Sequence, residues 1–215
     1  MNTPASPTDL AVSSPDEVLR FWFGASPLTD EAALALKGQW FAKSDAFDAQ
    51  IRARFGATIN AALAGQLQDW ASTPQGWLAL IVVLDQFTRN TLRGDARSFA
   101  GDAQAQTLAQ QGLSQGWDRE LCWLARPFVL LPLEHAEDLA LQDECVTRFT
   151  LLCSDAQHRD APKPVQDLLT SNLDYAQRHH EVIARFGRFP HRNAVLGRAS
   201  SAEEQAYLAQ PGAGF

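Results

Sequence analysis

The sequence predicts an all-α protein, and two observations lead to this fold class. Apolar residues recur at helical spacing, most clearly at every fourth position from Phe47 to Leu63, and serine, threonine, glycine and proline mark helix ends between the apolar stretches. No stretch shows the alternation and hairpin turns of β-strands. We therefore expect about eight to ten helices in stacked antiparallel pairs, arranged as a degenerate α-solenoid or as a compact helical array.

The chain is expected to form one domain after a short leader. Residues 1–13 are predicted to be a disordered leader, and residues 14–215 should fold as a single all-α domain. With 46% hydrophobic residues and six tryptophans, this domain can bury a substantial core.

The amino-terminal helices are bounded by residues that suit helix ends. Ser14 begins the first helix with a capping box, and Gly24 ends it. Two further helices are predicted, a short one over Thr29–Lys37 and a longer one between Ser44 and Gly65.

The most apolar helix of the chain is predicted over residues 76–93. It contains the run WLALIVVLDQF, which is apolar nearly all round at first. Because a helix of this kind must be covered on every side, we expect it to be central. Shorter helical pieces follow it, at 95–99, at 102–115 and from Asp118 onward.

Two long helices are predicted in the carboxyl-terminal part. One is expected over Pro132–Cys153, and the other over Val165–Phe186, where Gly187 ends it. A terminal helix should follow, with Ser200 and Glu203 as its capping box.

Charge and composition exclude several classes of protein. The net charge is −7, from 18 basic and 25 acidic residues, whereas a general nucleic-acid binder carries a basic excess. The amino-terminal residues lack the basic and apolar regions of a signal peptide. No apolar run reaches the roughly 18 residues that span a bilayer. We therefore expect a cytoplasmic protein without a nucleic-acid or membrane partner.

The first candidate site lies at the end of the central helix. Asp85, Arg89 and Arg93 are four residues apart and share one stripe, with Gln86 and Asn90 beside them. The preceding apolar run places this stripe against the interior, where a charge is costly unless it is paired. The stripe is therefore either a ligand site or a structural salt-bridge network.

The second candidate consists of Glu134, His135, Glu137 and Asp138. Glu134 and Asp138 would lie on one helix face, and a carboxylate beside His135 could make it a general base. The candidate catalytic residues are therefore His135, Glu137 and, from further along the chain, His191.

The same stretch raises the question of a metal site. His135 and a carboxylate could be completed by His179, His180 or His191. However, the motif H-E-x-x-H is absent, and no two histidines are three or four residues apart. Ion pairs between these carboxylates and the arginines of 185–198 are a simpler interpretation. We therefore assign no metal ligand and name no cofactor.

The third candidate is an arginine-rich stretch after the last long helix. The sequence RFGRFPHRN at 185–193, followed by LGR at 196–198, contains four arginines and a histidine but no carboxylate. Arginine has a planar fork of donors that suits carboxylates and phosphates. We therefore predict that Arg188, Arg192 and Arg198 form one wall of a polar site.

Three segments are specific when they are taken together and in order: LDQFTRN at 84–90, PLEHAEDLALQ at 132–142, and RFGRFPHRN with LGR at 185–198. They resemble the domain-of-unknown-function 924 family of mostly bacterial proteins, and the resemblance extends over residues 15–210. It implies a tetratricopeptide-like helical fold, although a strict repeat of about 34 residues is not visible. It implies no activity, because the family has none that can be carried over.

Two positions depart from the family's pattern. Thr88 stands where the pattern has proline, and Ala136 stands where it has serine, which rules out a nucleophilic serine at that point. The resemblance further implies that the three segments converge near one cavity. The residues expected there are Asp85, Arg89, Asn90, His135, Glu137, Arg188, His191, Arg192 and Arg198.

Three functions are compatible with these candidates. The first is binding of an anionic small molecule or a peptide carboxylate in a cavity lined by arginine and histidine. Its ligand-binding residues would be Asp85, Arg89, Asn90, Arg93, Arg188, Arg192 and Arg198. The alternative is an enzyme that uses His135 or His191 with a carboxylate for acid–base chemistry on an anionic substrate, with or without a metal. The third is a purely structural polar network.

Overall fold

The computed structural model describes residues 11–214, and within that range the secondary structure is helical, with no strand. The all-α prediction is therefore confirmed. The helices are α1 (Pro15–Phe23), α2 (Asp30–Trp40), α3 (Asp45–Leu63), α4 (Pro74–Ile81), α5 (Thr88–Thr91), α6 (Asp102–Ser114), α7 (Arg126–Glu134), α8 (Leu139–His158), α9 (Lys163–Phe186) and α10 (Ala202–Leu208).

A π-helical turn, Val82–Phe87, joins α4 to α5 without a break. These three pieces form one rod, so the part of the chain that the structure describes contains nine α-helical rods. Short 3-10 turns lie between the rods, at Gln68–Ser72, Ala96–Phe99, Trp117–Glu120 and Pro190–Arg192. Between residues 11 and 214, no helix is both long enough and apolar enough to span a bilayer.

The predicted leader falls mostly outside the described residues, which begin at residue 11. At its end, the backbone N–H of Ser13 donates a hydrogen bond of 2.8 Å to the hydroxyl of Thr58 in α3. The hydroxyl of Ser14 then accepts from the backbone N–H of Glu17, and the carboxylate of Glu17 accepts from the backbone N–H of Ser14. These two hydrogen bonds form the predicted capping box.

The helix predicted over Pro132–Cys153 is wrong, because the chain leaves the helical conformation after Glu134 and begins α8 only at Leu139. The apolar spacing continues across this break, which is why periodicity alone does not reveal it. Asp138 caps the new helix by accepting from the backbone N–H of Leu141 at 3.1 Å. Glu134 and His135 consequently lie at a helix end.

The terminal capping box is also displaced from its predicted position. Ser201 and Glu204 form it, one residue beyond the predicted Ser200 and Glu203. The reason is that Glu204 is buried and holds Arg188 as well as the backbone of Ser201, so tertiary contacts decide between two adjacent serines.

The core is organised around α4, whose side chains are buried from Trp77 onward. This helix packs against α1, α6 and α7. Aromatic rings fill the space beside it, and the ring of Trp22 lies 5.6 Å from that of Phe87 and 5.8 Å from that of Phe128. Helix α4 thus contacts helices that are distant from it in sequence. The repeats of a solenoid contact only their neighbours, so these contacts favour the compact helical array over the α-solenoid. The tetratricopeptide-like arrangement stays a prediction.

The carboxyl-terminal half adds a second packing layer. The two long helices α8 and α9 are joined by a short link and pack against each other, and α7 packs against both. After α9, Gly187 adopts a left-handed conformation with φ of 67°. The chain then turns back, so that Phe189 packs on Val182 and Ile183 of α9. This return brings the arginine-rich stretch towards the end of α7.

The contact between α4 and α6 yields a stability prediction. A Cβ atom on Gly112 would lie 2.3 Å from the buried ring of Trp77, whose Nε1 donates to the Leu108 carbonyl at 2.6 Å. We expect Gly112→Ala to lower the free energy of unfolding by roughly 1–3 kcal/mol, because the ring must shift. The measurement is urea denaturation followed by circular dichroism.

Gly56→Ala is the matched control. Gly56 also lies inside a helix, α3, but a Cβ atom there would have no heavy atom within 4 Å. The control should be neutral or should gain up to about 1 kcal/mol from helix propensity. Equal stability of the two variants would contradict the packing of α4 on α6 described here.

Candidate functional site

The site begins at the π-helical turn that interrupts the central rod. Such turns occur frequently at functional sites, because the extra residue per turn reorients side chains. This one carries Asp85 and Gln86, both buried. Gly101 lies directly against it, since a Cβ atom there would be only 2.2 Å from the Leu84 carbonyl oxygen. The close approach places Asp102, the first residue of α6, beside the turn.

Asp85 is fully buried and has three side-chain partners. Its Oδ1 atom lies 2.8 Å from Nδ1 of His135 and 2.9 Å from Nη1 of Arg89. Its Oδ2 atom accepts from Gln86 at 2.6 Å. Burial raises the pKa of Asp85, but Arg89 and His135 outweigh it and hold the pKa below its usual range. The carboxylate is therefore ionised, and Nδ1–H of His135 donates to it.

Arg89 connects Asp85 to a second carboxylate, Asp102. One Nη atom of Arg89 lies 3.0 Å from Asp102 Oδ1, and the other donates to Oδ2, also at 3.0 Å. Burial raises the pKa of Asp102 even though Arg89 opposes it. On the other side of Asp102, Nη1 of Arg192 lies 3.6 Å from Oδ2, which is longer than a hydrogen bond.

Arg192 has the weakest ion pairing of the charged residues around Asp85 and Asp102, and its exposed fraction is only 6%. Its guanidinium lies between two rings, with its central carbon 4.7 Å from the centroid of Phe99 and 4.4 Å from that of Phe189. Within residues 11–214, its Nε atom has no hydrogen-bond partner. Burial and then Arg89 lower the pKa of Arg192 to about 10. The aromatic rings cover its faces, so its polar edge is the part that can recognise a ligand.

Glu134 and His179 lie on the other side of His135. Both are buried, and Nδ1 of His179 lies 3.2 Å from Oε1 of Glu134. Burial, followed by the charge of Asp85, raises the pKa of Glu134 to about 8. Burial and then His135 lower the pKa of His179 to about 3, so this imidazole is neutral. The rings of His135 and His179 are 6.1 Å apart.

Glu137 fastens the arginine-rich stretch to the end of α7. Its carboxylate accepts from the backbone N–H of Phe189 at 2.8 Å and from both Nη atoms of Arg198, at 2.5 and 2.8 Å. His191 follows closely, with its ring 5.6 Å from that of Phe189. Burial and then Arg192 lower the pKa of His191 to about 4.

The family described as bacterial protein of unknown function (DUF924) matches residues 18–212. The chain belongs to this family. A solved structure, that of the protein of unknown function ATU0120 from Agrobacterium tumefaciens, is similar with 32% sequence identity and a TM-score of 0.73. The similarity covers 92% of this chain and 97% of that one. No curated protein matches the chain.

In this DUF924 protein, the structure brings together four of the candidate residues, namely Asp85, Arg89, His135 and Arg192. Three others lie at the edge of that group: Glu137, His191 and Arg198. The carboxylate of the candidate catalytic residue Glu137 accepts hydrogen bonds from Arg198 and from the backbone of Phe189. These contacts hold the arginine-rich stretch in place, which is a structural role.

The remaining three candidates have partners elsewhere. Asn90 donates to Asp48 at 2.7 Å, and Nε of Arg93 donates to the same carboxylate at 2.6 Å. Arg188 forms two hydrogen bonds with Glu204, at 2.6 and 2.8 Å. Asn90 and Arg93 thus contact α3, and Arg188 contacts α10. The convergence of all the candidate residues near one cavity stays a prediction.

Sequence reasoning did not assign several residues that complete the site. The sequence indicates Asp102 only as the start of a helix, Glu134 only as a carboxylate in the cluster with His135, and His179 only as a possible metal ligand. It gives no role to Gln142, whose buried Nε2 contacts three backbone oxygens at the end of α7: Leu133 at 3.4 Å, Glu134 at 2.6 Å and Ala136 at 2.8 Å. A polar residue on the apolar face of α8 was the signal that could have revealed it.

Gln142 therefore yields a second prediction. Gln142→Leu removes the side-chain donor from the carbonyls of Glu134 and Ala136, and a buried carbonyl left unsatisfied is expensive. We expect the free energy of unfolding to fall by roughly 1–3 kcal/mol in urea denaturation. Gln157→Leu, at an exposed position of the same helix, is the control and should change little. A Gln142 variant as stable as its control would show that these hydrogen bonds from Gln142 do not stabilise the end of α7.

Proposed function

We propose that the protein binds a small anionic ligand, through a carboxylate or phosphate group, at the edge of Arg192 and beside Arg89. The observation that carries this proposal is the incomplete pairing of a buried guanidinium. Arg192 has one carboxylate neighbour at 3.6 Å, whereas the other arginines of its stretch, Arg185, Arg188 and Arg198, have contacts of 2.5–2.9 Å. A buried charge of this kind gains most from an entering anion.

The surroundings of Arg192 favour a small group over a broad surface. Phe99 and Phe189 cover the two faces of the guanidinium, which leaves its edge for two parallel hydrogen bonds. Beside the guanidinium, the side chains of Arg89 and His135 are 19% and 14% exposed. A phosphate or a carboxylate, including the carboxylate of a peptide, has the matching geometry.

The experiment is a thermal-shift titration of the wild type and Arg192→Met with inorganic phosphate, succinate and a short acidic peptide. Methionine keeps an unbranched chain between the two rings but removes the charge. A ligand at about 100 times its Kd adds about 2.7 kcal/mol of stability. For a chain of this size, we expect the wild-type Tm to rise by roughly 5–10 °C, and the Tm of Arg192→Met to stay unchanged.

Arg185→Met is the control for this titration. Arg185 belongs to the same stretch, but it is exposed and already lies 2.9 Å from Glu203. This variant should respond to ligands as the wild type does. The proposal fails if no probe shifts the wild type, or if Arg192→Met responds equally. A variant that only loses stability, with no ligand response in the wild type, would favour the structural-network alternative.

The second candidate function is acid–base catalysis, and the bond of 2.8 Å between Asp85 and His135 favours it. Asp85 holds Nδ1–H, so Nε2 of His135 carries the lone pair, as in a carboxylate-oriented general base. Burial, then Arg89, lower the pKa of His135, which keeps the ring neutral and able to accept a proton.

Hydrolysis of p-nitrophenyl phosphate tests this second candidate. An enzyme should release nitrophenolate at a rate that Asp85→Asn lowers at least tenfold, because the amide no longer enforces the tautomer, whereas Arg185→Met leaves the rate unchanged. Phosphate binding without turnover would favour the binding function. The tetratricopeptide-like arrangement and the cytoplasmic location remain predictions that accompany this proposal.

A further inference from the structure

We propose that Glu134, His135 and His179 bind one divalent transition-metal ion of the zinc class. One carboxylate oxygen of Glu134 and one ring nitrogen of each histidine lie within 4.8 Å of one another. This site goes beyond the anion site proposed above, and it uses neither Arg89 nor Arg192 as a ligand.

The ligand set has the composition of an open metal site. Two histidines and one glutamate are the protein ligands of several catalytic zinc sites, in which the fourth position holds water or substrate. Ligands at about 2.1 Å from a tetrahedral ion are about 3.4 Å apart. Atoms that already lie within 4.8 Å can therefore close around an ion through side-chain rotations, without movement of the helices.

The hydrogen bonds of the two histidines orient them as metal ligands are oriented. Nδ1 of His135 lies 2.8 Å from the Asp85 carboxylate, and Nδ1 of His179 lies 2.8 Å from the Tyr175 carbonyl. A histidine that binds a metal almost always donates its other N–H to a carboxylate or a carbonyl. With its proton on Nδ1, His135 carries the lone pair on Nε2. Nδ1 of His179 also lies 3.2 Å from Oε1 of Glu134.

Glu134 gives the second, independent observation. Its side chain is 4% exposed, and within residues 11–214 its Oε2 atom has no hydrogen-bond partner. The carboxylates of Asp48, Glu137 and Glu204 each contact an arginine, whereas the neighbour of Glu134 is His179, at 3.2 Å. A buried carboxyl group without an arginine partner is stabilised by a metal ion that enters.

The backbone around these ligands is fixed before any ion arrives. Glu134 ends α7, His135 follows it, and His179 lies in α9, which packs against α7. Gln142 holds the carbonyl groups of this helix end, including that of Glu134 at 2.6 Å. A preorganised pair of elements lowers the cost of assembling the ligands.

The site also explains how two of the three segments could act together. Arg192 is close enough to His179 and His135 to lower the pKa of each histidine. An anion bound at the edge of Arg192 would therefore lie near two of the residues that would hold the metal. In that arrangement His135 is a ligand and not a general base, so the two roles of His135 exclude each other.

The experiment uses full-length protein that is dialysed against EDTA and then titrated with Co²⁺, followed by its visible absorption, and with Zn²⁺ by calorimetry. We expect one saturable site in the wild type. Glu134→Gln and His179→Gln should weaken the affinity at least tenfold. His180→Gln is the matched control, because His180 is the adjacent histidine and also lies beside an acid, 2.7 Å from Asp143.

Several outcomes would overturn the proposal. The wild type could show no saturable binding, or Glu134→Gln and His179→Gln could bind as the wild type does. Equal loss of affinity in His180→Gln would assign the metal to the surface pair with Asp143. Arg192→Met should retain metal binding, so failure of the anion site is distinguishable from failure of the metal site.

One measurement keeps the proposal testable if a variant does not fold. Wild-type protein labelled with ¹⁵N at histidine is titrated with Zn²⁺ and followed by NMR. The ring signals of His135 and His179 should shift together with saturation at one equivalent, while those of the exposed His158 and the half-buried His180 stay unchanged. Shifts confined to His158 and His180 would overturn the site.

Discussion

The carboxylate of Asp85 is fully buried, and its burial constrains the residues around it. Removing such a charge from water costs on the order of several kcal/mol even after the protein relaxes. Partners must therefore be held in place, and they come from the same rod and from the end of α7: Arg89, Gln86 and His135. Arg89 then positions Asp102, so the start of α6 is tied to the same charge.

Charged groups in this protein divide into two kinds. Asp48, Glu137 and Glu204 have arginine partners at hydrogen-bonding distance, and their pairs fasten helices and the returning chain. Arg192 and Glu134 are both buried, but among the residues that the structure describes neither has an ion-pair partner at hydrogen-bonding distance that would match its charge in this way. Glu134 lies 3.2 Å from His179, and Arg192 is close enough to His135 and His179 to lower the pKa of both. The proposed anion and metal sites are therefore neighbours in the fold.

Helices with strong periodicity and clear end signals, Ser44 before α3 and Gly187 after α9, could be predicted from the sequence. The break between α7 and α8 could not, because apolar spacing continues across it and only the cap at Asp138 marks it. The π-helical turn Val82–Phe87 departs from the 3.6-residue period on which the prediction rests. Partners such as Asp48 and Asp102 are unpredictable for another reason, since pairing depends on which helices become neighbours.

The contacts that build the site join residues far apart in the chain. His135 is 50 residues from Asp85, and Arg198 is 61 residues from Glu137. Closing loops of this length costs conformational entropy before any contact repays it, so such contacts depend on the rest of the fold. Local helices can form on a nascent chain that still lacks α9, but His179 and Arg192 are then absent. The proposed binding is consequently a property of the folded domain, and occupancy of the site would report that α9 and the arginine-rich stretch have packed against α7.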